Sequence, residues 1–147
     1  MVDDVAEVAI EEGLLVQARA FATSVSLPLA EPNKDFTPPT PTPTAKYLRA
    51  SFIPAPSFAL GIPYNSYQQH YGIFQLDVFC GIRGSDTEPR RIAADVAAYF
   101  KRGTTIIDDD FVVTLYESPQ VTQGFTDGSW WIIPVRLLYR CYARPTA

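Results

Sequence analysis

Residues 27–55 read LPLAEPNKDFTPPTPTPTAKYLRASFIPA, and this stretch constrains the fold more than any other. Prolines at positions 28, 32, 38, 39, 41 and 43 each fix φ and lack an amide donor. The run is therefore unsuited to a helix interior or a central strand. It leads directly into Tyr47-Leu-Arg-Ala-Ser-Phe-Ile53, whose alternation predicts a strand. The reading is a stiff, extended arm over about residues 28–45, fixed to a sheet. Such an arm suits contact with other chains better than chemistry on a small molecule.

Around it the chain has 147 residues, a length that fits one domain over residues 1–147. A domain of this size buries roughly 68–70% of its unfolded surface, enough for a core without disulfide or metal. Hydrophobic residues make up 47% and aromatics 13%, which argues against disorder. The formal net charge of −4 argues against a general nucleic-acid binder, though not against a protein that encloses a nucleic acid without gripping it. Cys80 and Cys141 fall in apolar, strand-like runs and read as buried, reduced thiols; a disulfide would need an oxidising compartment. The acidic start Met1-Val-Asp-Asp reads as no secretory signal. The longest apolar run, Trp130 to Val135, is far shorter than the ~18 residues of a membrane span. The expectation is a soluble protein made in a cytoplasm.

Asp4 to Thr23 reads as a helix, with Ile10, Leu14, Ala18 and Phe21 forming one apolar stripe and Pro28 forbidding continuation. The strand from Lys46 to Ile53 is closed by Pro54 and Pro56. Residues 55–69 read as an exposed loop or the tip of a long hairpin. Tyr71 to Cys80 is the next strand. Its face of Phe74, Leu76, Val78 and Cys80 packs on a helix, and its mixed face is partly wet. Asp86 or Thr87 caps a second helix with Pro89 in its first turn, a stripe of Ile92, Ala93, Val96, Ala97 and Phe100, and Lys101-Arg-Gly103 at its end. Phe111 to Tyr116 reads as a strand and Ser118 to Asp127 as a strand or loop, and Asp127-Gly128 signals a hairpin. The last strand, Trp130 to Tyr142, carries an apolar face of Trp131, Ile133, Val135, Leu137, Tyr139 and Cys141. Pro134 predicts an edge position or a bulge there. The fold class is α+β: a mostly antiparallel sheet, two amphipathic helices on one face, and the Pro-rich arm.

Catalytic constellations are scarce. His70, the sole histidine, has no second His or Cys at ligand spacing and reads as a solvent-facing loop residue. Asp108, Asp109 and Asp110 lack the spacing of a calcium loop and read as a solvated turn. Gly81-Ile-Arg-Gly84 is followed by no Gly-Lys-Ser/Thr, so it is not a phosphate loop. Arg90, Arg91, Lys101 and Arg102 are too few for a nucleic-acid groove and read as a solvated helix face. No catalytic, cofactor-binding or metal-binding residue is assigned. The aromatics Phe36, Tyr47, Phe52, Phe58, Tyr64, Tyr67 and Tyr71 divide between two readings. About half belong to the core, while Phe36, Phe58, Tyr64 and Tyr67, on arm and loop, are candidates to meet another subunit. Pro38, Pro39, Pro41 and Pro43 join them on the arm.

An ordered set of segments completes the reading. It comprises Leu27-Pro28, Pro32-Asn33 with Phe36-Thr-Pro-Pro39, Tyr47-Leu-Arg49, and Tyr71-Gly72-Ile73 with Gln75 and Val78. Further on come Ala93 with Asp95-Val96-Ala97, Phe100 with Gly103, and Asp127-Gly128 with Trp131, Pro134-Val135 and Tyr139-Arg140. In this order and over nearly the whole chain, the set resembles the tail terminator proteins of long, non-contractile-tailed bacteriophages and related gene-transfer particles. Thr40-Pro-Thr-Pro-Thr44 looks like a local elaboration. The resemblance implies a structural virion protein, not an enzyme, with a small α+β protomer in a hexameric ring. The ring caps the tail tube, stops its polymerisation and presents a surface to the head connector or stopper protein. Genomic DNA passes through the lumen without specific binding. The family has no catalytic signature to carry over, and Asp108, Asp109 and Asp110 become candidates to line the lumen. A neighbouring neck or head-completion protein is the nearest alternative. A small-ligand module with the aromatic-rich sheet lining a pocket is an alternative of another class, and an enzyme using His70 is third.

Overall fold

Helix α1 (Ala6–Ser24) forms where apolar residues recur at helical spacing, and it buries Ile10, Leu14, Ala18 and Phe21 as that spacing predicts. The computed structural model describes residues 6–61, 67–108 and 111–143, so Asp4 lies outside it. The helix ends in a left-handed residue, Ser26, at φ 57°. The Ser26 amide donates to the Thr23 carbonyl and the Leu27 amide to the Ala22 carbonyl, two bonds that satisfy carbonyls the helix leaves open. Leu27 is buried beneath this turn, and Pro28 then sends the chain away.

Among the described residues nine strands form one sheet, in the order β1-β2-β4-β9-β6-β5. Strand β1 (Leu29–Ala30) lies inside the arm, between Pro28 and Pro32, and pairs in parallel with Leu48 and Arg49 of β2 (Lys46–Pro54). The remaining pairings are antiparallel. The sheet is built on two 14-residue strands, β4 (Gln68–Gly81) and β9 (Trp130–Ala143), paired from Gln68↔Ala143 to Gly81↔Trp130. Strand β3 (Phe58–Ala59) prolongs β2 along β4, pairing with Gln68 and Gln69, so the described residues 55–61 and 67–69 belong to the end of a long hairpin. Strands β5 (Thr105–Asp108) and β6 (Phe111–Leu115) form the far edge. The short strands β7 (Gln120–Val121) and β8 (Phe125–Asp127) also lie against β9. The β8–β9 hairpin closes in two residues, with Gly128 at φ 60°, a conformation glycine adopts without strain.

Helix α2 (Thr87–Tyr99) packs beside α1 on the same side of the sheet, where Phe21 meets Tyr99 and Phe100. Ile92, Ala93 and Val96 enter the core with Phe74, Leu76, Val78, Ile133, Val135 and Leu137. Truncating any such buried leucine costs about 2–5 kcal/mol. The basic residues Lys101 and Arg102 fall just beyond the helix, whose cap is Phe100.

Two expectations are corrected. Pro134 is not at an edge: it sits in β9, opposite Asp77 of β4. Its carbonyl accepts from the Thr122 amide and from Thr122 Oγ1, so its missing N–H points to the same side. There the neighbouring ladder is broken, because three residues (122–124) stand between β7 and β8 against two in β9. The irregularity belongs to the partner strand. His70 is buried, 5% exposed, because β4 begins at Gln68 and seats it opposite Cys141. The mixed face of β4 is partly wet as expected: Tyr71, Ile73 and Gln75 are half-buried, and Asp77 and Phe79 at its upper end are buried.

Candidate assembly surface

The arm is held along its length. Glu31 accepts bonds from Arg19 of α1, at 2.8 Å from Nη2 and 3.2 Å from Nε, and Arg19 also reaches Glu12 at 3.1 Å. The guanidinium holds the Glu31 carboxyl below the usual carboxylate range, and the two carboxylates raise Arg19 in turn. Asn33 turns the chain at φ 50°. Phe36 then folds back on Tyr47, with ring centroids 5.2 Å apart. Tyr47 in turn stacks on Phe79 at 4.5 Å and meets Trp130 edge-on at 5.0 Å. With Ala30 and Ile132 these rings form a second small core on the side of the sheet away from the helices. Burial there pushes the Tyr47 hydroxyl up.

The proline-rich end of the arm is seated on glycine. A Cβ placed on Gly81 would collide with the Thr42 carbonyl oxygen, and one on Gly84 would collide with that of Pro43. Only bare backbone lets the strands approach this closely. The Gly81 amide donates to the Ala45 carbonyl at 2.9 Å, and Lys46 Nζ pairs with Glu88 of α2 at 3.2 Å. Beside this seat the Trp131 indole N–H donates to Asp86 Oδ1 at 2.8 Å, so Asp86 braces the turn instead of capping α2 through its side chain.

The family described as phage tail terminator protein matches residues 9–139, from the second turn of α1 to the last third of β9. The chain belongs to the phage tail terminator family. A solved structure that carries no functional name is similar over 96% of both chains, with 26% sequence identity and a TM-score of 0.71. No curated protein matches. Family membership marks this terminator chain as a structural protein of the phage tail.

The residues singled out in the sequence divide into two groups at opposite ends of β4, which spans on the order of 45 Å. At the Gly81 end lie the arm residues. Pro38, Pro41 and Pro43 are exposed, Pro39 is half-buried, and Phe36 is half-buried against its own chain. At the Gln68 end lie Phe58 and Tyr67, both exposed, with Leu60 between them in sequence and its amide bonded to the Tyr67 carbonyl. Phe58 rests against Tyr71 at 5.7 Å. Tyr64, Asp109 and Asp110 lie outside the described residues, as does the side chain of Asp108.

Between these ends is a surface that sequence reasoning does not find. The face of the sheet away from the helices is covered by the arm only in its upper part. Lower down, Ile53, Ile73 and Leu138 form one cross-strand row; Tyr142, four residues further along β9, and the paired Ile107 and Val112 of the β5–β6 edge are exposed beyond it. Arg140 lies between Tyr116 and Tyr142, 5.4 and 5.9 Å from their ring centroids. The only signal for it in the sequence is the mixed face of each strand, which ordinary half-exposed strands share.

Other chemistry finds little footing. A groove of about 300 Å³ lined by Ile82, Arg83, Asp86, Thr126 and Trp131 lies at the turn. It does not lie under the aromatic rows, where Tyr47, Phe79 and Trp130 fill the space with one another. Among the described residues no three His, Cys, Asp or Glu side chains gather as metal ligands, and no helix is long and apolar enough to cross a membrane.

Proposed function

We propose that this chain acts as a ring, with six subunits, at the head–tail junction of a long non-contractile phage tail. The ring caps the finished tube, stops tube polymerisation and presents its other side to the connector or stopper of the head. Residues 1–147 act as one unit, made in the host cytoplasm before assembly. The observation that carries this reading is the family match over residues 9–139, which runs from within α1 to within β9 and so takes in most of the sheet and of both helices.

The structure supports it in two respects. A cyclic assembly needs unlike patches on each subunit, and this chain has an arm at one end of β4 and an apolar hairpin tip at the other. Phe36, Pro38, Pro39, Pro41 and Pro43 on the arm, and Phe58, Tyr64 and Tyr67 at the tip, are the contacts with neighbouring subunits or adjoining rings. Proline has already restricted the arm, so ordering it at an interface costs little further entropy. DNA passes through the lumen without specific binding; the net charge of −4 suits sliding, and Asp108, Asp109 and Asp110 line the channel.

Electron microscopy of the purified chain mixed with tail tubes tests this. Rings seated on tube ends are expected. A chain that stays monomeric with tubes present and never caps an end overturns it, and a ring found on the connector side of the particle assigns the chain to the neighbouring neck protein.

A further inference from the structure

We infer that neighbouring subunits join by docking the outer face of α1 on one copy against the open face of the sheet on the next, an inference that rests on the ring reading. Three features of the protomer carry it.

First, α1 is apolar on more than one side. Beneath it lie Ile10, Leu14 and Phe21, yet Val8 is 69% exposed and Val16 also faces outward. Its outer side therefore carries apolar groups among charged ones, a mixture found at subunit interfaces. Its inner side is covered by this chain's own sheet, and its outer side is left for another copy.

Second, the charges are complementary. The helix carries Glu7, Glu11 and Glu12 against Arg19 alone, and Arg19 is shared between Glu12 and Glu31. The outward-facing positions of β2, β4 and β9 carry Arg49, Arg136 and Arg140 against Asp77 alone, and Asp77 is held by Arg49. An acidic, valine-bearing helix thus faces a basic face that exposes Ile53 and, at its margin, Ile107.

Third, the two patches lie on opposite sides of the same sheet. Self-association through one patch would give a closed pair. Association of unlike patches on opposite sides runs head to tail and continues until it closes on itself. In that arrangement every sheet is covered on both faces, by its own helices on one and by the neighbour's α1 on the other.

Paired surface variants of the full chain test the docking. Ile53→Asp with Arg136→Glu disables the sheet face, and Val8→Asp with Val16→Asp disables the helix face. Each variant alone is expected to run at the 16.3 kDa protomer mass by native mass spectrometry and to leave tube ends uncapped. Mixed one to one, they retain one intact helix face and one intact sheet face, so the mixture is expected to stop at a two-chain complex. If a variant loses its melting transition, charge reversal replaces it. Arg136→Glu with Arg140→Glu, or Glu7→Arg with Glu11→Arg, should each dissociate the ring, and all four in one chain should restore it. Rings from either single-face variant overturn the docking and leave the ring reading intact. A wild-type chain that neither associates nor caps tubes overturns both.

Discussion

Arg49 and Asp77 stand directly opposite one another on β2 and β4, and the pair is lopsided: the Asp77 side chain is 1% exposed and that of Arg49 49%. The guanidinium reaches Asp77 Oδ2 at 2.8 Å and lies 4.8 Å from the Phe79 ring centroid, while Gln75 donates to Oδ1 at 2.7 Å. The carboxylate is buried between Arg49 and Gln75, and it is tolerated there because both oxygens are bonded. Arg49→Met should cost roughly 2 kcal/mol by urea denaturation, since it leaves a buried carboxylate with one partner. Adding Asp77→Asn should recover part of that loss, and strict additivity of the two would show that the pair is not coupled.

The two cysteines give a second expectation. Both are free and buried, and burial pushes each thiol up to about 11. The thiolate is the reactive form, so at pH 8 the native protein should titrate slowly with a thiol reagent. Two thiols per chain should appear promptly in denaturant. Fast labelling of the native chain at pH 8 would show that β4 and β9 open locally at these positions.

The elements legible in the sequence are those in which one physical signal dominates. The stripe of Ile10, Leu14, Ala18 and Phe21 announces α1, and the six-residue face from Trp131 to Cys141 announces β9. The elements that escape a sequence reading depend on partners distant in the chain. Leu29 and Ala30 become a strand only because β2 lies alongside, and His70 is buried only because β4 extends to meet Cys141. The rule that proline marks a sheet edge does not help at Pro134, whose lost donor is absorbed by a break in the neighbouring ladder. For the assembly surface, proline content marks the arm, but nothing local marks its seat on Gly81 and Gly84 or the open face around Ile53 and Val112.

The clamp between Arg19 and Glu31 sets a pH dependence. The folded carboxyl lies below its ordinary value of 4.5, chiefly through its bonds from Arg19. A group held low when folded stabilises the fold above its unfolded value, and that contribution disappears as pH falls through the folded value. Melting temperature should therefore fall as pH drops from about 4.5, and Glu31→Gln should be less stable at pH 7 and show a shallower acid limb. Parallel curves for the two proteins would mean that the clamp does not form in solution.

The seat of the arm separates folding from assembly. Gly81→Ala sets a methyl where the Thr42 carbonyl lies, so either the arm lifts or the β4–α2 turn shifts. Overpacking of this kind costs roughly 1–3 kcal/mol. Lifting is the expected response, because the arm below Pro32 remains tied by Glu31 and by β1, while Thr40 to Thr44 are held chiefly by the glycine seat. Limited proteolysis should then cut Gly81→Ala within residues 37–44 much faster than wild type, while the helices and β9 stay protected. Deleting Thr40 to Thr44 should weaken ring assembly and tube capping and leave a chain that still melts cooperatively. Unchanged assembly of the deletion would show that the prolines shelter the protomer's own second core and contribute no contact to the ring.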